Sequence, residues 1–211
     1  MHTSFKLPAQ LPGASDIANN AIRLAMLSSR LALEERTLVN HSSGRPENVA
    51  EHSTMLAIIA PAIAELYYPD LDANLIARFA SIHDAVEAYV GDTNTHAIGK
   101  EELKQKADRE STGLQRLKKD FANLPSFLRL IDEYEAQEVR EARFVRVIDK
   151  WTPILVHFAD EGATLRSYIT PDELRDNFAS RAVRLKRQFP DFERLVAVRE
   201  ELTELAAEHL F

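Results

Sequence analysis

An all-α bundle of about seven or eight helices is the architecture expected of this 211-residue chain. Apolar residues recur at steps of three and four through most of its length, and no stretch alternates with period two strongly enough to compete as a strand. Proline, glycine and short polar runs interrupt the pattern at helix-length intervals. No linker, repeat, low-complexity tract or heptad seam divides the chain. Residues 15–211 are therefore expected to form one domain behind an irregular lead-in, residues 1–14, which carries Pro8, Pro12 and Gly13.

Ser15-Asp16 is a capping pair for a first helix reaching about Glu34, with Ile17, Ala21, Leu24, Leu27 and Leu31 on its apolar side. Arg36 to Arg45 reads as a polar loop. Pro46 or Asn48 opens a second helix to about Tyr67, and Pro61 falls inside it, where it must kink the helix or lie where the lost hydrogen bond is tolerated. A third helix runs from Asp72 to about Tyr89 through Ile76, Phe79, Ile82 and Val86, followed by a loop over residues 90–99. Lys100 to Ala122 is a charged, solvated helix. Leu124-Pro125 restarts a short one, and Glu138 to about Asp160 forms another, bent at Pro153. Thr170-Pro171 caps a helix to Gln188, and Asp191 to His209 closes the series.

Composition narrows the function. A net charge of −7 argues against a nucleic-acid polymer as partner, whose affinity needs a basic face, but leaves room for a small phosphorylated ligand. The absence of cysteine within these residues excludes disulfides, zinc–thiolate sites and thiol nucleophiles. The opening Met1-His2-Thr3-Ser4-Phe5-Lys6 does not read as a signal peptide, and no window looks long and apolar enough for a membrane span. A cytoplasmic protein without a membrane partner is the expectation.

The chemistry-bearing residues are His83-Asp84, with Glu51-His52 upstream, Glu87 and Gly91-Asp92 just after, and Asp149-Lys150 far downstream. Two histidines and two aspartates from three segments, His52, His83, Asp84 and Asp149, can enclose one divalent cation and leave space for water and a phosphate. The donor set suits Mn²⁺, Fe²⁺, Co²⁺ or Zn²⁺ better than Ca²⁺. Glu87 lies one turn from His83 and is placed to hold a water or relay a proton. Asp92, after a glycine that permits a tight turn, is a second candidate. Arg45 and Lys150 are candidate phosphate contacts, as are His41 and His96 more weakly. Trp151 reads as core rather than a base-stacking platform.

The run Arg45-Pro46-Glu47-Asn48-Val49-Ala50-Glu51-His52-Ser53, followed by His83-Asp84-Ala85-Val86-Glu87, Gly91-Asp92 and Asp149, resembles the HD-domain superfamily of metal-dependent phosphohydrolases. Within it, the segments are similar to the branch of bacterial 5'-deoxynucleotidases and phage deoxynucleoside triphosphohydrolases. The resemblance covers Arg36 to Trp151. It implies an HD-type helical fold, a divalent metal cofactor (Co, Mn, Zn, Fe or Mg) held by His52, His83, Asp84 and Asp149, catalytic roles for Glu87 and Asp92, and a phosphate-binding arginine matched by Arg36. The family's tryptophan after that arginine is Thr37 here, and its Pro-Thr-Pro-like stretch is replaced by Thr93-Asn94-Thr95-His96, with Lys100 slightly late. The activity implied is a 5'-deoxynucleotidase acting on deoxynucleoside monophosphates, with triphosphate release from deoxynucleoside triphosphates as the alternative. Alarmone hydrolysis and a non-catalytic metal- or nucleotide-binding regulatory domain are further readings. The resemblance also implies a homo-oligomer.

Overall fold

The computed structural model describes residues 11–40, 44–92 and 100–211, with the side chains of 37–40 and 100–103 left aside. His41, His96, the Thr93–Thr95 stretch and the side chains of Thr37 and Lys100 therefore lie outside the described residues. Helices dominate: α1 (Asp16–Leu33), α2 (Val49–Tyr67), α3 (Ala73–Ile82), α4 (Glu87–Val90), α5 (Lys100–Asp120), α6 (Pro125–Ala136), α7 (Arg140–Asp149), α8 (Thr152–Ala159), α9 (Pro171–Gln188) and α10 (Glu193–His209).

Sequence signals locate most boundaries through side chains that satisfy the orphan N–H groups of a first turn. The Ser15 hydroxyl accepts from the Ala18 N–H at the start of α1. Asp72 accepts from the Asn74 and Leu75 N–H groups at α3. Asn48 with Glu51, and Thr170 with Glu173, form reciprocal capping boxes at α2 and α9. Helix α2 passes through Pro61 without a break.

Three expectations are corrected. The polar loop after α1 is a two-stranded antiparallel ribbon, β1 (Glu35–Asn40) and β2 (Pro46–Asn48), with Glu35 opposite Asn48 and Asn40 opposite Pro46. Such a ribbon is too small to stand alone, and the Val49 N–H ties it to the Glu34 carbonyl at 3.0 Å. Two of the expected helices are each divided, which raises the helix count. The third helix stops at Ile82 and resumes at Glu87. The one expected over Glu138–Asp160 breaks at Lys150-Trp151, just before Pro153 rather than on it. Finally, α2 does reach membrane-spanning length and apolarity, with a mean hydropathy of 1.3 over its best window. Its alanine- and isoleucine-rich composition is that of a helix packed on several neighbours. Val49, His52, Leu56, Ala60 and Ala64 are buried against the rest of the chain.

The main core joins Leu56 and Ala60 of α2, Ile76 and Phe79 of α3, Phe144 and Ile148 of α7, and Val196 of α10. A second cluster packs α1 and α5 around Val49, Ala88, Leu117 and Phe121. A third seats α10 on α8 and α9 through Ile154, Leu174 and Ala206. The Trp151 indole N–H donates to the Leu195 carbonyl at 3.0 Å, pinning the α7–α8 corner to α10, so this tryptophan is core as expected.

Gly113 sets how closely α5 approaches α4. A Cβ there would meet Val90 Cγ1 at 2.6 Å and Val86 Cγ1 at 3.0 Å, both on stiff β-branched side chains. Gly113→Ala gains roughly 0.5–1 kcal/mol of helix propensity elsewhere, yet here it is expected to lower the melting temperature, because the overlap pushes α5 off the segment bearing Glu87. A variant as stable as the wild type in thermal denaturation contradicts this packing.

Candidate metal centre

The two helix breaks build the site. After Ile82 the chain tightens: the Ala85 N–H bonds to Ile82 O and the Glu87 N–H to Asp84 O, both at 2.9 Å and both spanning three residues. Three-residue turns advance about 120° per residue rather than about 100°. α3 thus ends at the His83-Asp84 pair, whose Nε2 and Oδ2 lie 2.9 Å apart. Asp149 is the last residue of α7, and the Thr152 hydroxyl donates to its freed carbonyl at 2.7 Å. His52 lies fully buried in the second turn of α2.

The donor atoms converge. His52 Nε2 lies 3.1 Å from His83 Nε2, 3.0 Å from Asp149 Oδ1 and 3.6 Å from Asp84 Oδ2. His83 Nε2 lies 2.9 Å from Asp84 Oδ2 and 3.9 Å from Asp149 Oδ1. Ligands bound at about 2.0–2.2 Å to one transition-metal ion sit about 3.0–3.5 Å apart, so this donor set fits such an ion. The chemistry of the rings agrees. His83 Nδ1 is 2.9 Å from the Ala80 carbonyl, which only accepts, so Nδ1 carries a hydrogen and leaves Nε2 as the atom that would bind a metal. Two imidazole nitrogens and two carboxylates facing one another need a positive charge between them. His52, His83 and Asp149 thus form a group that could hold a divalent cation, and Asp84 Oδ2 lies beside both histidines.

The electrostatics point the same way. Burial works against the Asp149 carboxylate, but Lys150, whose Nζ sits 2.6 Å from Oδ2, and the hydrogen bond from His52 outweigh it and hold the group well below the usual range. Asp84 is likewise held down against burial by His83 and His52. Burial lowers the His52 pKa, whereas the Asp84 charge raises that of His83 despite its burial.

The centre opens into a cavity of about 450 Å³, within the ~300–1,000 Å³ typical of small-molecule sites. Arg36, Glu87, Asp92 and Lys150 all line it. Gly91, at φ 78°, makes the left-handed turn that delivers Asp92. Glu87 Oε2 is buried without a hydrogen-bond partner among the described residues. Burial, then the charges of Asp84 and Asp92, push its carboxyl up to about 10. Arg36 projects from β1 with its Nε 3.6 Å from Glu47 on β2, and its Nη1 is buried without a partner among the described residues. Arg45 is the exception among the expected substrate contacts. It is absent from the described lining and grips both oxygens of Glu51, bracing the cap of α2.

Residues without an assigned role in the sequence also line the cavity, among them Arg146, Tyr134, Glu135 and Lys106. Arg146 was within reach of a helical-spacing argument, one turn before Asp149. Tyr134 and Lys106 carried no such signal, since only packing brings α5 and α6 to this wall.

A family model for the HD domain matches residues 29–191. This chain belongs to the HD domain family. Curated relatives agree. The 5'-deoxynucleotidase HDDC2 of Xenopus laevis is 32% identical over 167 residues, 78% of each chain. The 5'-deoxynucleotidase hdd1 of Schizosaccharomyces pombe is 30% identical over 141 residues, 63% of this chain and 68% of its own length. A solved structure from Magnetospirillum magnetotacticum MS-1, described as a predicted metal-dependent phosphohydrolase, superimposes with a TM-score of 0.67 at 28% identity, covering 90% of this chain and 94% of that one. In this HD-family chain the His, His-Asp, Asp order corresponds to the four converging side chains.

Glu47 supplies a pH test of the Arg36 anchor. It is 2% exposed, and burial raises its pKa from 4.5 to about 7 although Arg36 pulls the other way. Between those values the folded state holds a proton that the unfolded state has lost, so stability falls as pH rises, by about 3 kcal/mol in all. In denaturant titrations of chelator-treated protein at pH 5 and pH 8, Glu47→Gln is expected to lose less stability than the wild type over this interval. Identical pH slopes reject a buried, proton-holding Glu47.

Proposed function

We propose that this HD-family protein hydrolyses nucleotide phosphate esters, with 5'-deoxynucleoside monophosphates as first substrates and nucleoside plus phosphate as products. The carrying observation is that His83, Asp84 and Asp149 of the metal centre line the same cavity as a buried Glu87 and an Arg36 with an unused N–H. A site that only stored metal would have no use for either. The curated 5'-deoxynucleotidases about 30% identical to this chain support the substrate class.

When bound, a divalent cation supplies positive charge to a phosphoryl oxygen and makes a nearby water more acidic. Arg36 presents a planar donor to the phosphate, its Nε side anchored by Glu47. Glu87, one turn beyond the ligand pair, is positioned to take the proton of the attacking water. Burial and the charges of Asp84 and Asp92 keep its carboxyl protonated without metal, and a cation beside Asp84 would lower that proton affinity and free Glu87 to act as the base. Asp92, at the end of the Gly91 turn, is the second carboxyl lining the cavity, placed to relay the proton taken from the water to the 5' oxygen as the phosphorus–oxygen bond breaks. Homo-oligomerisation, which rests on the family resemblance, and a cytoplasmic location, which rests on the cysteine-free composition and the opening residues, belong to the same proposal.

Incubation of Mn²⁺- or Co²⁺-loaded protein with a panel of ribo- and deoxynucleoside mono- and triphosphates, with products resolved by chromatography, tests the reading. Deoxynucleoside and inorganic phosphate are the expected products. Asp84→Ala is expected to abolish turnover together with metal binding. Glu87→Gln is expected to keep metal and lose roughly 10²–10⁴-fold in kcat. Inorganic triphosphate as product would move the protein to the triphosphohydrolase alternative. Absence of turnover with every nucleotide would reject the enzymatic proposal.

A further inference from the structure

Four arginines bury a guanidinium nitrogen that has no hydrogen-bond partner among the described residues: Arg23, Arg36, Arg146 and Arg199. Arg23 is committed elsewhere, donating to the Asp120 carbonyl, and Arg199 stacks 4.2 Å from the Phe178 ring centroid while donating to the Lys150 carbonyl. The other two line the cavity of the metal centre. Arg36 has been given the phosphate already. Arg146 has no role in the reaction as described so far.

Its placement is specific. Arg146 precedes Asp149 by three residues on α7, so the two share one helix face with Cβ atoms about 5–6 Å apart. The guanidinium lies over the Tyr134 ring at 5.1 Å, which holds its plane, and the same tyrosine meets the His83 ring edge-on at 6.2 Å. Arg36 stands beside Glu47 and Glu87, whereas Arg146 stands beside Tyr134 and Glu135. The two cations thus approach Asp84 and Asp149 with different neighbours and from different elements, β1 and α7. With a divalent ion taking up the charge of those two aspartates, an Arg146 Nε–H remains buried without an acceptor. Such a group carries its full desolvation penalty until a ligand supplies one. A guanidinium edge is shaped for oxyanions, which it meets through two parallel bonds.

We propose that Arg146 is a second phosphate-binding residue, which with Arg36 holds the oxyanion from the α7 side of the metal centre. This rests on the phosphohydrolase reading above but predicts a binding event that needs no turnover.

The test is isothermal titration of inorganic phosphate into Mn²⁺-loaded full-length protein, comparing wild type, Arg146→Gln and Arg146→Lys, with Mn content and melting temperature recorded for each. Arg146→Gln is expected to weaken phosphate binding roughly tenfold to a hundredfold, the loss of a charge-assisted hydrogen bond. Arg146→Lys is expected to fall in between, because it keeps the charge and loses the fork. Metal content should be unchanged in both. If Arg146→Gln does not fold, Arg146→Lys carries the comparison. Phosphate affinity equal to wild type overturns the proposal, as does a loss confined to intact nucleotides, which would make Arg146 a reader of the base or sugar. Wild-type protein that binds no phosphate also overturns it. Hydrolysis failing with every nucleotide while Arg146→Gln still loses phosphate would sink the nucleotide-hydrolysis reading and leave the phosphate site standing.

Discussion

Two imidazole nitrogens 3.1 Å apart, with carboxylate oxygens 2.9 and 3.0 Å from them, form the arrangement around which the rest of the molecule is organised. Protons alone can hold such a cluster together only by charging buried rings. A divalent cation satisfies all four donors at once. Much of the surrounding architecture serves to bring three chain segments to that point: the interior of α2, the end of α3 and the end of α7. Helix carbonyl ends carry partial negative charge. Placing two carboxylates at or just past two such ends deepens the negative potential that a cation fills.

The same breaks that make the ligands converge also decide what surrounds them. Because α3 gives way to short turns before α4, Glu87 arrives on a new helix start rather than in mid-helix, and Gly91 then returns the chain to bring Asp92 to the cavity. Because α7 ends at Asp149, Lys150 turns back to the ligand carboxylate, and Trp151 is free to lock the corner to α10. The ribbon of β1 and β2 is small, yet it sets Arg36 against Glu47 and aims the remaining guanidinium edge at the cavity.

Helical periodicity and caps made most of the fold legible. Ser15, Asn48, Asp72 and Thr170 marked helix starts that the structure retains. The cluster of His52, His83 and Asp149 was legible as well, because these residue types stand in a known order within recognisable short segments. The ribbon was not, since its two strands run through a segment whose polar residues read equally as loop. The divisions at His83 and at Lys150 were not either, because apolar spacing continues across both and periodicity registers a face rather than a break. Arg45 shows the opposite failure. A loop arginine near the entrance reads as a phosphate contact, yet it is spent on Glu51.

The linear order of residues was sufficient to determine which side chains are chemically able to hold a metal or a phosphate, since residue type and spacing state what a side chain can bind, and a motif is a statement about residue type. Tertiary structure alone decided direction and company: that Asp84 turns toward His52, that Glu87 is buried beside Asp84 and Asp92, and that α5 and α6 close the cavity with Tyr134, Glu135 and Arg146. Those outcomes depend on how helices end and how closely they pack. Both are set by contacts between residues far apart in the chain, and no local pattern records them.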